Sequence, residues 1–435
     1  MSEHDSALRR QTELYLSGLA GKKPAVPVEP GRLERAARKK MSAEAFAYVA
    51  GGAGTESTIG ENRAAFERWR IVPRMLRDVS ERDTSVEFFG RRLPAPLLLS
   101  PIGVLELAHR EADVAVSRAA AGAGLPMIFS NQASKPMEEC ARAMGDAGNA
   151  PRWFQLYWSK SDELVESFVR RAEQSGCEAI VVTLDTTMLG WRPRDLDLAY
   201  LPFLRGKGMA QYTNDPVFLQ SLSRRPQSSG TPVKVNLSTI KALVELTRSY
   251  PGGLLENLAS REPLKAVQEF LFTYSWTSLS WENLAFLRQR TSLPIVLKGI
   301  LSAEDAQQAI GHGMDGVIVS NHGGRQVDGA IASLDALPGV VEAVGGRIPV
   351  LFDSGVRSGA DVFKALALGA TAVCVGRPYV YGLALAGEEG VRSVISNIAA
   401  EFELTMALAG CSSVAELSAE NLVRTGEIEA LAFGE

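Results

Sequence analysis

From residue 97 onward the chain carries short, unbroken apolar runs rich in Val, Ile and Leu. They are LLLSP (97–101), PMIFS (126–130), RWFQLY (152–157), AIVVTLD (179–185), PIVLK (294–298), GVIVSN (316–321), IPVLFD (348–353) and TAVCVG (371–376). Continuous runs, unlike alternating ones, suit strands buried on both faces of a parallel sheet. Helical patterns lie between them, clearest at 161–176, 302–313 and 358–370. Each opens on a serine able to cap and closes near a glycine. The runs start at 97, 126, 152, 179, 294, 316, 348 and 371, so six of the seven intervals hold one βα unit apiece. This repeat predicts an α/β fold, a closed (β/α)8 TIM barrel. An open Rossmann sheet is the competing architecture, but its GxGxxG after a first strand is absent.

The remaining interval, 115 residues between the fourth and fifth starts, predicts an insertion over about 188–277. It leaves the carboxyl end of a strand, the face where barrel active sites form, so a lid is one reading and a packing or oligomer contact the other. Residues 1–40 read as an N-terminal extension: a short helical stretch and then a proline-rich connector at 22–31. A helix is predicted over 33–50, ending at Gly51–Gly52. The barrel domain is expected to span 41–425, followed by a tail at 426–435.

Composition narrows the class. The 435 residues are 46% hydrophobic and 22% charged, which is ordinary globular usage. A net charge of −4 without like-charge blocks gives no support for a nucleic-acid partner or a polybasic membrane surface. No apolar run reaches the length of about 18 residues that a membrane span needs. The first twenty residues are too polar for a signal peptide. Cys140, Cys177, Cys374 and Cys411 are far apart and form no CxxC, so neither a disulfide framework nor a zinc ribbon is expected. The default is a soluble cytoplasmic protein. No HxxxH or carboxylate triad suggests a metal.

Polar residues gather where the strands stop: Gln155 and Tyr157, Thr183 and Asp185, Lys298, Asn321 and His322, Asp353, Gly376 and Arg377. So many functional groups on one rim predict a site there. The loops DSGVRSG (353–359) and GRP (376–378) resemble anion cradles, with Arg357 and Arg377 adding charge and a helix starting near 358. Lys298 closes an apolar strand. It can form a Schiff base, bind a phosphate, stabilise negative charge on a cofactor, or sit in a structural ion pair. Among four histidines, His322 in SNHGGRQ is the general-base candidate. Asp185 is placed to orient its imidazole. Arg192 and Arg325, with the Tyr48 or Tyr157 hydroxyl, suit a substrate carboxylate.

These motifs bring a resemblance with them. Over roughly residues 30–425 the chain resembles the FMN-dependent α-hydroxy acid oxidase/dehydrogenase family. The segments that carry it are SNHGGRQ (320–326), LFDSGVRSGADVFKALALGA (351–370), VGRPYVYG (375–382), YVAGGAGTESTIGENRAAF (48–66), FQLYW (154–158) and LDTTMLGWRPRDL (184–196). PRML (73–76), LPFLRG (201–206) and DPVF (215–218) point to its lactate 2-monooxygenase branch. The resemblance implies an FMN cofactor, a lactate-like L-2-hydroxy acid substrate, O2 as acceptor and a homotetramer. It implies that His322 takes the α-hydroxyl proton, that Asp185 supports the protonated imidazole, and that Arg325, Arg192 and Tyr48 bind the carboxylate. Tyr157 is implied at the hydroxyl side and Lys298 beside the flavin. Pro101, Ile102, Gly103, Ser130, Gln155, Thr183 and Ser320 are implied as flavin contacts. Asp353 is implied at the ribityl chain, and Ser354, Gly355, Val356, Arg357, Gly376 and Arg377 around the phosphate.

Gln132 falls where relatives place an apolar or aromatic wall. Met188 and Leu189 are expected to form another wall, and Gly103 to leave room near the flavin. A long lid would hold the keto acid while oxygen reacts, so in-site oxidative decarboxylation is the expected outcome. Release of keto acid and hydrogen peroxide is the alternative. A non-flavin lyase or aldolase using Lys298 is the reading from another class.

Overall fold

The structure, a computed structural model, describes residues 6–224 and 236–426. Each of the eight apolar runs forms a strand: β1 (Leu97–Leu99), β2 (Met127–Phe129), β3 (Arg152–Leu156), β4 (Ile180–Thr183), β5 (Ile295–Ile300), β6 (Gly316–Val319), β7 (Val350–Phe352) and β8 (Ala372–Val375). All neighbours pair in parallel, and β8 pairs with β1 to close the barrel. The fold is a (β/α)8 TIM barrel with helices ahead of its first strand.

Side chains alternate across each strand. Leu98, Ile128, Trp153, Val181, Val296, Ile318 and Leu351 form one buried cluster inside the barrel. Leu97, Leu99, Phe154, Val182, Leu297 and Val319 belong to the larger cluster between the barrel and its helices. Burial on both faces is why the runs show no polar alternation. A hairpin of Val86–Phe88 and Arg91–Leu93 plugs the amino end, where Phe88 packs edge-on and Phe89 tilted against Trp153 at 5.9 and 5.7 Å between ring centroids. Polar side chains collect at the opposite end. The two-residue period that turns Trp153 inward does the same for Gln155 and Tyr157, and Val181 is followed in that way by Thr183 and Asp185.

Three barrel helices, Asp162–Gln174, Ala303–Gly311 and Gly359–Ala367, start on the serines expected to cap them: Ser161, Ser302 and Ser358. The predicted helix over 33–50 is two helices, Pro30–Lys40 and Ala43–Ala50. Met41 is extended, and the Ser42 hydroxyl accepts from Ala45 N at 3.2 Å, which caps a new helix instead of continuing the old one. The second helix ends at Gly51 as expected and carries Tyr48. The Ser6–Leu19 helix lies on the Arg377–Leu408 helix, with Arg10 Nε donating to Asn397 Oδ1 at 2.9 Å. His4 and the tail beyond Gly426 lie outside the described residues.

Between β4 and β5 the chain forms further short helices, including Pro193–Asp197, Pro216–Arg224, Leu237–Ser249 and Glu262–Thr273. Tyr212, Phe218 and Phe270 give this segment its own aromatic core. It docks on the Asp162–Gln174 helix through buried Asp215, which accepts from Ser167 Oγ at 2.8 Å and Arg171 Nη1 at 3.1 Å. Among the described residues no helix is long and apolar enough to cross a membrane, and no cluster of His, Cys, Asp and Glu is set to hold a metal.

Candidate active site

The centre of the site is a partly buried acid–imidazole pair from two strand ends. Asp185 follows β4 and His322 follows β6, and Asp185 Oδ1 lies 2.7 Å from His322 Nδ1. Thr186 Oγ1 donates to the same carboxylate oxygen at 2.8 Å. With Nδ1–H committed to Asp185, Nε2 keeps the lone pair. His322 sits in the left-handed region at φ 57°. Such a conformation costs on the order of 1–3 kcal/mol and must be held by its surroundings. Ser320 Oγ accepts from His322 N at 3.1 Å, and Ser354 Oγ accepts from Gly323 N at 3.0 Å. Gly299 makes the approach of Asp185 possible: a Cβ there would lie 2.9 Å from Asp185 Cβ, and its φ is +107°.

Lys298 stands behind this pair. Its Nζ donates to Ser320 Oγ at 2.7 Å, lies 3.2 Å from Asp353 Oδ2 and 4.0 Å from Asp185 Oδ2. Burial alone would lower the ammonium's pKa, but Asp353 and then Asp185 outweigh it and raise it, so Lys298 is a cation. Burial would raise the Asp185 carboxyl, but the imidazole and Lys298 hold it down at about 2. Burial outweighs Asp185 at His322 and lowers the imidazole's pKa from its ordinary 6.5. The imidazole is therefore neutral near pH 7 and able to accept a proton. Burial pushes the Tyr157 hydroxyl up to about 12, which keeps it a donor.

These groups face a cavity that is open at one side. Four guanidiniums line it: Arg192, Arg325, Arg357 and Arg377. Arg377 donates to the carbonyls of Val49, Gly323 and Gly51 at 2.8–3.0 Å, and Arg357 to its own loop at Val356. Arg325 donates to the Tyr48 and Gly51 carbonyls and lies over the Tyr48 ring. Among the described residues, none of these three reaches a carboxylate at ion-pair distance. Burial lowers all three, Arg325 to about 9 and Arg377 to about 10. Such unpaired, desolvated cations are anion sites.

The sequence profile of FMN-dependent dehydrogenases matches residues 37–424. The chain belongs to the FMN-dependent dehydrogenase family. It is 43% identical over 417 residues to an L-lactate oxidase of Lysinibacillus sphaericus, covering 96% of this chain and 98% of that one. It is 41% identical over 415 residues to an FMN-dependent alpha-hydroxy acid dehydrogenase of Penicillium citrinum, covering 95% of each. A solved structure of mandelate oxidase with (S)-4-hydroxymandelic acid superposes with a TM-score of 0.74 at 38% identity, covering 91% of this chain and 98% of that one. This family member is an FMN-dependent oxidoreductase acting on 2-hydroxy acids. The donor set fits FMN: the unpaired Arg357 and Arg377 suit its phosphate, and buried Lys298 suits a ring that becomes negative on reduction.

Within this frame the residues expected from sequence fall into two groups. Tyr48, Pro101, Ile102, Gly103, Tyr157, Arg192, Lys298, His322, Arg325, Asp353, Ser354, Gly355, Val356, Arg357, Gly376 and Arg377 all line the cavity. Ser130, Gln155, Thr183, Ser320 and Asp185 stand behind its surface. The first three form a buried chain: Ser130 Oγ donates to Gln155 Oε1 at 3.0 Å and Gln155 Nε2 to Thr183 Oγ1 at 2.9 Å. Leu189 lines the cavity, but Met188 is 64% exposed and forms no wall.

Two local expectations change. The space beside Gly103 is not open, because a Cβ there would lie 2.9 Å from the Gln132 carbonyl oxygen and 3.0 Å from its Cβ. The start of the Gly359–Ala367 helix is already satisfied: Asp361 Oδ2 accepts from Arg357 N and Ser358 N, and Glu401 Oε2 from Gly359 N at 2.9 Å. Its dipole is answered from within the chain, which leaves the arginines and the loop backbone as the anion donors.

Sequence reasoning missed Thr186, Phe203, Tyr274 and Gln326. Thr186 adjoins Asp185 and could have been found as a strand-end hydroxyl. Phe203 and Tyr274 come from the insertion; Phe203 lies within the LPFLRG segment, where it was not singled out, and Tyr274 has no motif around it. Gln326 accepts from Arg192 Nη2 at 3.0 Å and donates to the Asp185 and Met188 carbonyls at 2.7 and 2.9 Å, tying the strand-four loop to the strand-six loop.

Proposed function

We propose that this protein oxidises an L-2-hydroxy acid to the 2-keto acid with O2 as acceptor, releasing the keto acid and hydrogen peroxide. The observation that carries the reading is the 2.7 Å Asp185–His322 pair facing the same cavity as Arg192 and Arg325. His322 Nε2 takes the substrate's hydroxyl proton. Asp185 stabilises the imidazolium that results, as a carboxylate held low in pKa does well. Arg325 and Arg192 bind and orient the carboxylate, with the Tyr48 and Tyr157 hydroxyls as further donors. FMN held by Arg357 and Arg377 would supply the two-electron chemistry, as acceptor for the α-hydrogen with its electron pair and as donor to O2. Lys298 supplies fixed positive charge.

Peroxide release has better support than in-site decarboxylation. The relatives named above include an L-lactate oxidase and a mandelate oxidase. The second reading, a lactate 2-monooxygenase outcome, rests on the insertion, whose Leu189, Phe203 and Tyr274 line the cavity. We read the segment over about 188–277 as a cover on the 41–425 barrel domain, with residues 1–40 as an extension. An imine at Lys298 is disfavoured, since an ammonium paired with Asp353 at 3.2 Å carries no lone pair. Four buried free thiols suit a cytoplasmic location. A homotetramer belongs to the same proposal and is checked by light scattering.

The test is product analysis after anaerobic reduction of the bound flavin by L-lactate and admission of air. Pyruvate with equimolar peroxide is the expected result. Acetate with carbon dioxide would move the assignment to the second reading, and no reduction by any 2-hydroxy acid would remove both.

A further inference from the structure

One polar group in the cavity has no work in the reaction just described. Gln132 is 9% exposed and lines the cavity. Its backbone is pinned: Val104 N donates to its carbonyl at 2.9 Å, and its N–H donates to Ser130 Oγ at 3.1 Å. Gly103 packs so closely against it that a Cβ would lie 3.0 Å from Gln132 Cβ. The residue is thus fixed up to its Cβ, and among the described residues nothing hydrogen-bonds the side-chain amide. An amide that faces a cavity without a protein partner offers its donor and acceptor to whatever binds there. The Tyr274 hydroxyl, also at the cavity wall, has no partner among the described residues either. Leu189 and Phe203 complete an otherwise apolar surround.

The charge balance says what kind of partner fits. Five cations line the cavity: Arg192, Lys298, Arg325, Arg357 and Arg377. Two carboxylates belong to it, Asp353 on its wall and Asp185 behind His322. A bound phosphate monoester brings about two negative charges, and the substrate carboxylate brings one more. The surplus is then neutralised, and a second substrate carboxylate would find no free cation.

We propose that the substrate is a monocarboxylic 2-hydroxy acid whose side chain carries an uncharged hydrogen-bonding group, such as a hydroxyl, held by the Gln132 amide. This deepens the proposed function and rests on it. A site built to bond such a group rejects the isostere that lacks it, because the amide is left unpaired.

The experiment compares kcat/KM on the holoenzyme within pairs that differ only in a side-chain hydroxyl. The pairs are L-glycerate against L-2-hydroxybutyrate and L-3-(4-hydroxyphenyl)lactate against L-3-phenyllactate, with L-malate as the charged control. The polar member of at least one pair is expected to lead by about tenfold or more, and L-malate to be poorest. Gln132→Met, or Gln132→Leu if the first does not fold, should abolish that lead by slowing the polar member and not the apolar one. Tyr274→Phe should reduce it less. Apolar preference in both pairs, L-malate as best substrate, or a Gln132 variant that slows both members equally would overturn the proposal. The wild-type ratio decides the matter even if no variant folds. If no 2-hydroxy acid reduces the flavin, it is the functional reading that has failed; if they do and the ratios are flat, only this inference has.

Discussion

At one end of the cavity Lys298 meets Asp353 at 3.2 Å and Asp185 meets His322 at 2.7 Å. At the other end Arg357 and Arg377 direct N–H groups at backbone carbonyls and meet no carboxylate among the described residues. Both ends bury charge, but they resolve it differently. Where a proton must move, each charge has a fixed protein partner that sets its pKa. Where an anion must stay bound, the cations are left for the ligand to neutralise. The paired end should therefore govern rate, and the unpaired end affinity for the cofactor.

The largest effect should come from the paired end. His322→Ala is expected to slow anaerobic flavin reduction by about 10³-fold or more, with FMN still bound; stopped-flow absorbance measures both. A normal reduction rate would remove His322 from the reaction. Asp185→Asn should cost about 10²–10³-fold by the same assay, since the imidazolium loses its counter-ion and orienter.

At the unpaired end, Arg377→Met or Arg357→Met should raise the FMN dissociation constant by about 10–100-fold, the loss of one charge-assisted hydrogen bond. Titration of the apoprotein with FMN reads this directly. Equal loss of rate in FMN-saturated variants would erase the division between the two ends.

The pH profile sharpens the comparison. A base must be neutral, so reduction should fail as pH drops through the His322 pKa, which burial places below its ordinary 6.5. The fall should approach about tenfold per pH unit on the acid side. Removing the Asp185 charge takes away what raises that pKa, so Asp185→Asn should move the limb to still lower pH. A limb above pH 7 would contradict the assignment of a neutral imidazole.

The smallest effect tests the helix start. Ser358→Ala should destabilise the protein by about 1 kcal/mol through the lost cap, read by thermal unfolding, with FMN affinity nearly unchanged. A tenfold weaker FMN complex would mean that the helix start does share in binding the phosphate.

Much of this was legible in the residues. The eight unbroken apolar runs announced parallel strands buried on both sides, and the groups at their ends announced the rim. Asp185 and Lys298 were readable because strand periodicity fixes which way a side chain points, and His322 because it stands just past a strand end beside two glycines. Less was readable beyond the strands. One helix over 33–50 proved to be two because the Ser42 cap competes with helix continuation, a local choice that apolar spacing does not report. Asp361 and Glu401 close the helix start at Gly359, and Glu401 lies 42 residues away. Gly103 looked like open space, whereas Gln132, in the turn after β2, packs against its Cβ position.

The sequence by itself determined the barrel, the strand ends and the identity of the chemical groups, because strand period and local capping depend only on near neighbours along the chain. The tertiary structure alone decided which charges are paired, which are left for a ligand, and that Phe203 and Tyr274 reach the cavity. The reason is distance: an electrostatic or packing partner acts over a few ångströms of space, whatever number of residues lies between.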